Sequence, residues 1–249
     1  MLLSSVDDHR ALINGVTSLA EADITAYAAS VIGDAPDAVA AQLRPAAMSV
    51  VSQYGAVAGV SGALWYETER PKPGFTADPV FPSVGEELAS ALGWALSPVF
   101  NPSSFDGGAS DALPRLAGVV QKYVALADRE TVAAASKRDN LSTGVERFAR
   151  ASACSFCALM SSHNGSHWHT NCKCVSVPTW SDSPAPDSET RIRFAEASDG
   201  ARQYILDARR AHPDYGSTKL RVFLRQHPEF ALTNRNITRV MRAQYGFAH

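Results

Sequence analysis

A chain of 249 residues that is 45% apolar can bury one good-sized core, or one core plus a small module. The net charge is only −2, yet residues 200–249 hold nine Lys/Arg against three acids, which is +6 and leaves −8 on residues 1–199. That imbalance describes a body that avoids polyanions and a tail that can seek them, or a tail that is simply a solvated basic helical segment. All four cysteines fall within Cys154–Cys174, a crowding that argues against a secreted disulfide scaffold. MLLSSVDDHR does not read as a signal peptide, and the uncharged stretch 45–66 is too rich in Ser, Ala and Gly to be read as a membrane span.

The first 140 residues read as helices. Residues 5–32 start at Ser4 or Ser5 with Asp7 and Asp8 in the first turn, and place Leu12, Val16, Leu19 and Tyr27 near one stripe. Gly33 stops this helix and Pro36 starts the next at a favourable first-turn position. Val39, Leu43, Ala47, Val50, Tyr54, Val57, Ser61 and Leu64 then recur every three or four residues, which predicts one long core-facing helix to about Glu69, bent at Pro45.

RPKPGFTADPVFPS (70–83) carries four prolines and reads as a surface loop. A short helix follows from Val84 to about Leu96, with Glu86 and Glu87 in its first turn, and NPSSFDGGA breaks it. Ser110 then caps a helix to about Arg138 with Leu113, Leu116, Val120, Tyr123, Val124 and Ala127 on its stripe. Acid pairs such as Glu67/Glu69 and Glu86/Glu87 read as solvated faces and helix-terminal charges rather than acid/base pairs.

CSFCALMSSHNGSHWHTNCKC (154–174) carries the strongest chemical signal: Cys154-x2-Cys157, then His169-x2-Cys172-x-Cys174. A Cys-x2-Cys turn aims two thiolates at one point, and a second short turn with His and Cys supplies the remaining ligands of a tetrahedral ion. The reading is a structural Zn2+ knuckle with its ligands drawn from Cys154, Cys157, His169, Cys172 and Cys174. A strand over 145–153 would feed it, one helical turn over Ala158–Ser161 would follow, and a strand from Cys174 would return and end at Pro178. Four such ligands close the coordination sphere, so the site fastens rather than catalyses.

SDSPAPDSE (181–189) reads as a linker. Beyond it, three helices are expected: Asp199–Ala211 with Tyr204, Ile205 and Leu206 inside, Thr218–Gln226 capped by Ser217, and Asn234–Gln244 capped by Thr233. The last would show Arg235, Asn236, Arg239 and Arg242 on the face opposite Ile237, Val240 and Met241. These residue types clamp phosphates or read purine edges, and a helix pair followed by such a helix is the helix-turn-helix layout. A basic face that docks on another protein fits the same residues.

The architecture expected is therefore mainly α with a small β/zinc knuckle: a helical body (1–140), a Cys/His mini-domain (141–180), a linker (181–198) and a basic three-helix module (199–249). Gln53-Tyr54-Gly55, Trp65-Tyr66-Glu67, Gly93-Trp94-Ala95-Leu96 and the segment from Arg150 through the cysteines to Pro178-x-Trp180, taken together, resemble the minor head proteins of actinobacterial tailed phages, in the Mu F-like head-morphogenesis group. The resemblance covers roughly residues 10–180. It implies a structural virion protein without catalytic role, inside the capsid near the portal and in the host cytoplasm during assembly. Its partners would be portal and major capsid proteins, with double-stranded DNA a further partner of the tail, and no membrane or small-molecule substrate. It places the metal on Cys154, Cys157, His169 and Cys172, with Cys174 also matching. Relatives carry a longer insert where this chain has SSHNGSHW, which leaves His167 as an alternative to His169. His212–Arg242 also resembles the helix-turn-helix that precedes the catalytic core of some insertion-sequence transposases, and no such core follows. Two rival readings are a metal-dependent nuclease drawing on His163, Asn164 and His167, and a DNA-binding regulator built on the tail. Only Lys173 is basic between 151 and 180, which leaves the nuclease without a phosphate grip.

Overall fold

The computed structural model describes residues 3–82, 85–149, 153–162, 168–169, 172–181, 188–217 and 219–247. Among these residues the chain is mainly helical, with eight α-helices and one two-stranded sheet. The helices are α1 (Leu3–Val31), α2 (Pro36–Glu69), α3 (Glu86–Phe100), α4 (Ala112–Arg138), α5 (Ser155–Ser162), α6 (Ser188–Ala211), α7 (Leu220–Gln226) and α8 (Asn234–Tyr245). The strands are β1 (Ser142–Phe148) and β2 (Val175–Trp180). Two compact units result: residues 1–145 with 168–184, and residues 146–167 with 185–249.

In the first unit α4 is the central element, and α1, α2 and α3 all pack on it. Its buried positions run around the helix and include Leu116, Val120, Val124 and Val132 with the polar Gln121, Asp128, Arg129 and Thr131. Such a helix cannot be solvated on one side, so each polar group needs an internal partner. Asp128 takes His9 from α1: Nε2 donates to Oδ1 at 2.9 Å, and the imidazole stacks on Trp65 of α2 with centroids 4.1 Å apart.

The face that α1 buries is not the one its large residues predicted. Val6, His9, Ile13, Val16, Ala20, Ile24, Ala28 and Val31 face inward, whereas Leu12 is 53% and Leu19 60% exposed and Tyr27 also lies outside. The same holds in the second half of α2, where Val57 and Leu64 are exposed and Val51, Gly55, Ala58, Gly59 and Gly62 are buried. The reason is close approach. A Cβ on Gly62 would stand 2.8 Å from Asp128 Oδ1, and one on Gly59 would stand 2.6 Å from the Val80 carbonyl. Small residues line α2 where it approaches Asp128 and Val80. Helix α2 runs without a break from Pro36 to Glu69 with Pro45 inside it.

The proline-rich loop after α2 is pinned rather than loose. Thr131 Oγ1 accepts from Val80 N and Glu67 Oε1 from Ala77 N, both at 2.8 Å. At its start, Asp139 accepts from Arg70 Nε at 2.6 Å, Arg70 Nη2 at 3.0 Å and Tyr66 Oη at 3.2 Å. Helix α3 extends to Phe100 through Pro98. Ser110 is not the cap of α4: it lies in a 3-10 turn (Gly108–Asp111), and Asp111 takes the N-cap position.

β1 and β2 pair, with Ser142 and Thr143 at the start of β1 meeting Thr179 near the end of β2, as in antiparallel strands. Pro178 does not end β2, which continues to Trp180. A two-stranded sheet has only edge strands, and a proline without its N–H is tolerated there.

In the second unit α5 packs on α6 and α8, and α6 packs on α8. Helix α6 begins at Ser188, inside the stretch read as linker, and buries Phe194, Ala197, Ala201 and Ile205 at helical spacing. Tyr204, expected inside, is exposed. Helix α7 starts at Leu220 with Lys219 at its N-cap and no side-chain cap; Ser217 Oγ instead donates to the Asp214 carbonyl. Thr233 caps α8 as its sequence indicates, its Oγ1 accepting from Asn236 N at 3.2 Å.

Candidate metal and nucleic-acid sites

Cys154–Cys174 supplies Cys and His groups able to hold a metal ion, and none of its four cysteines is in a disulfide. The two halves of the segment belong to different units. In the second unit, Cys154 and Cys157 sit at the N-terminus of α5, with Cys157 buried. The Cys157 N–H donates to Cys154 Sγ at 3.4 Å. A thiolate gains from such a donor and from the positive end of a helix, so this turn suits sulfur in its metal-binding form. Ser161, one helical turn on from Cys157, donates to the Arg147 carbonyl at 3.3 Å and ties α5 to the end of β1.

In the first unit, Cys172 N–H donates to the His169 carbonyl at 3.3 Å, closing the turn that carries the His and Cys side chains. Cys172 and Cys174 are buried and feed directly into β2. Their backbone is held from α4. Arg129 Nη2 donates to both carbonyls at 2.8 Å, Arg129 Nε donates to Cys174 O at 3.1 Å, and Gln121 Nε2 donates to Cys172 O at 3.0 Å. The Arg129 guanidinium also lies 4.0 Å over the Trp168 ring. The sequence contained no signal for this clamp: a lone Gln and Arg in an alanine-rich helix look like solvent-facing residues. His163, Asn164 and His167, invoked as alternative ligand or nuclease residues, lie outside the described residues.

The residues expected to read DNA separate into two groups. Arg235 and Arg239 are exposed on α8, and Arg242 is half-buried. Asn236 turns inward, at 8% exposure, and its Nδ2 donates to the Pro228 and Ala231 carbonyls at 2.8 and 2.9 Å. Its amide is committed to the 3-10 turn Pro228–Phe230 that leads into α8. Arg209 of α6 binds the same turn, its Nη2 donating to Phe230 O at 2.5 Å.

A model of the VG15 protein family matches residues 3–196, from the first helix through the cysteine segment into α6. The chain belongs to the VG15 protein family. This is a viral or phage gene-product family. The VG15 match ends before most of the C-terminal helices, so residues 197–249 stand outside it. No curated protein and no solved structure matches the chain. Among the described residues no helix is long and apolar enough to cross a membrane.

Proposed function

We propose that this VG15 protein is a structural minor head protein of a tailed phage, without a catalytic role of its own. It would lie in the virion near the portal, with portal and major capsid proteins as partners. The observation that carries this reading is the family match over residues 3–196, which spans the helical body and the cysteine segment together. The motifs whose spacing resembles that of Mu F-like head-morphogenesis proteins fall inside the same stretch.

The cysteine segment acts in this reading as a zinc fastener. Cys154, Cys157, His169 and Cys172 hold one Zn2+, and Cys174 or His167 is the alternative ligand. The support is chemical: Cys-x2-Cys and His-x2-Cys are ligand spacings for a tetrahedral ion, the cysteines are thiols, and each half sits in a backbone turn that fixes it. The α8 arginines Arg235, Arg239 and Arg242 give the C-terminal module a face for phosphates of double-stranded DNA. Asn236 supports that face by holding the turn beneath it.

Mass spectrometry of purified virions, combined with labelling to locate the chain near the portal vertex, tests the assignment. The protein is expected in the mature particle in few copies, and its absence from the particle would sink the reading. For the metal, the reduced protein is expected to carry about one thiolate-bound zinc, lost on Cys154→Ser. For DNA, affinity is expected to fall steeply with salt, and a flat response removes the DNA-contact role.

A further inference from the structure

The C-terminal unit gathers a second set of metal-ligating side chains, separate in sequence from the cysteines. His212 follows the last residue of α6, Asp214 lies in the turn after it, and His227 stands at the C-cap of α7. One ligand atom from each lies within 4.8 Å of the others. His227 Nε2 is 3.4 Å from Asp214 Oδ2, and His212 Nδ1 is 3.8 Å from the same oxygen. Bonds of about 2.0–2.1 Å to a tetrahedral ion put ligand atoms about 3.3 Å apart. One of these edges is already at that spacing and the other is close to it.

The rings are held in place by their neighbours. The two imidazoles have centroids 4.3 Å apart, and His212 stands edge-on to Phe223 and Phe230 at 5.3 and 5.4 Å. Phe223 is fully buried, so it is a fixed wall. The His212 and His227 side chains are 23% and 24% exposed, which leaves a path for an ion from solvent.

The hydrogen-bond geometry also suits a ligand role. Nδ1 of His212 accepts the Asp214 N–H at 3.3 Å, which places an unprotonated nitrogen on the carboxylate side. That hydrogen bond is at the long end of its range and is readily exchanged for a metal bond. On His227 the other nitrogen, Nδ1, faces Glu229 Oε1 at 3.7 Å.

We propose that His212, Asp214 and His227 form a second metal site, for a borderline transition cation of the Zn2+ type, completed by water. Two imidazoles and one carboxylate select such ions over Mg2+ and Ca2+. The ion would clamp the α6–α7 turn to the end of α7, beside the Pro228–Phe230 turn that Arg209 and Asn236 hold from the other elements. The metal would thereby order the support under α8.

Co2+ titration of the reduced, metal-free full chain tests this. One class of bound Co2+ is expected to show d–d absorption without thiolate-to-metal charge transfer, and His212→Gln with His227→Gln removes that class alone. If the cysteine segment binds nothing, the charge-transfer bands are missing while the histidine-dependent class persists, so the two sites fail independently. Should the double variant lose its helical circular dichroism, the unaltered protein gives the answer by proton NMR. There the ring protons of His212 and His227 are expected to show paramagnetic shifts on Co2+ addition. Unshifted ring protons, or a folded double variant that binds as much Co2+ as the parent, overturns the proposal.

Discussion

Arg129 and Cys172 lie 43 positions apart in sequence, yet the Arg129 Nη2 donates to the Cys172 carbonyl at 2.8 Å in the buried interior of the first unit. The same guanidinium binds the Cys174 carbonyl through two nitrogens. A planar fork that reaches two carbonyls at once is a job for arginine and not for lysine. Arg129→Met is expected to destabilise the protein by about 3 kcal/mol, because it strands buried carbonyls. It should also weaken zinc retention against a competing chelator. Urea unfolding at unchanged slope, read beside the chelator competition, checks both effects, and Arg129→Lys should recover little.

The glycines of α1 and α2 should respond in opposite directions to the same substitution. Gly62→Ala pushes a methyl against Asp128 and is expected to cost about 1–3 kcal/mol. Gly15 is in α1 with nothing within 4 Å of a built Cβ. Gly15→Ala is therefore expected to stabilise by about 0.5–1 kcal/mol through helix propensity alone. Thermal unfolding of the two variants in parallel provides the comparison.

Asp139 sets a pH dependence. The hydrogen bonds from Arg70 hold its carboxyl below the ordinary carboxylate range, assisted by the Leu141 N–H and by Tyr66. A carboxyl with a lowered folded-state pKa contributes its full stability above its unfolded value, about 3.9, and loses it as the pH falls through the folded value. Asp139→Asn should flatten the stability curve in that acid window and lower stability at neutral pH. Burial pushes the partner Tyr66 up to about 12, so its hydroxyl stays a donor to Asp139 throughout the neutral range. Denaturant midpoints measured from pH 2 to pH 7 decide the matter.

Asn236 and Arg235 are sequence neighbours with different expected phenotypes. Asn236→Ala removes the Nδ2 group that donates to the Pro228 and Ala231 carbonyls and should cost about 1–2 kcal/mol in the C-terminal unit. Arg235→Ala should leave stability within about 0.5 kcal/mol while reducing the salt slope of DNA binding by about one. An Asn236→Ala variant that folds as stably as the parent would contradict the first expectation, and an unchanged salt slope the second.

Much of the helical layout was legible in the sequence because its punctuation is chemical. Pro36 opens α2, Thr233 caps α8, and the cysteine spacing marks a segment whose Cys and His groups could hold a metal. The core faces were less legible. Choosing Leu12, Leu19 and Leu64 as inward residues follows hydrophobicity, yet α1, α2 and α4 pack so closely that Ala20, Ala28, Gly59 and Gly62 occupy the seam. Pro178 was read as a strand end because edge position is a tertiary property. Arg129, Gln121 and Asn236 were missed as internal donors because their partners are backbone carbonyls, and no side-chain pattern announces a carbonyl.

The Arg129 clamp also imposes an order in time. Chains emerge from the ribosome N-terminus first, and domains generally fold as units in that order. Helix α4, which packs on α1 and α2, is therefore synthesised before Cys172 and Cys174. The donors that hold the carbonyls of Cys172 and Cys174 are thus in the chain before the segment they hold.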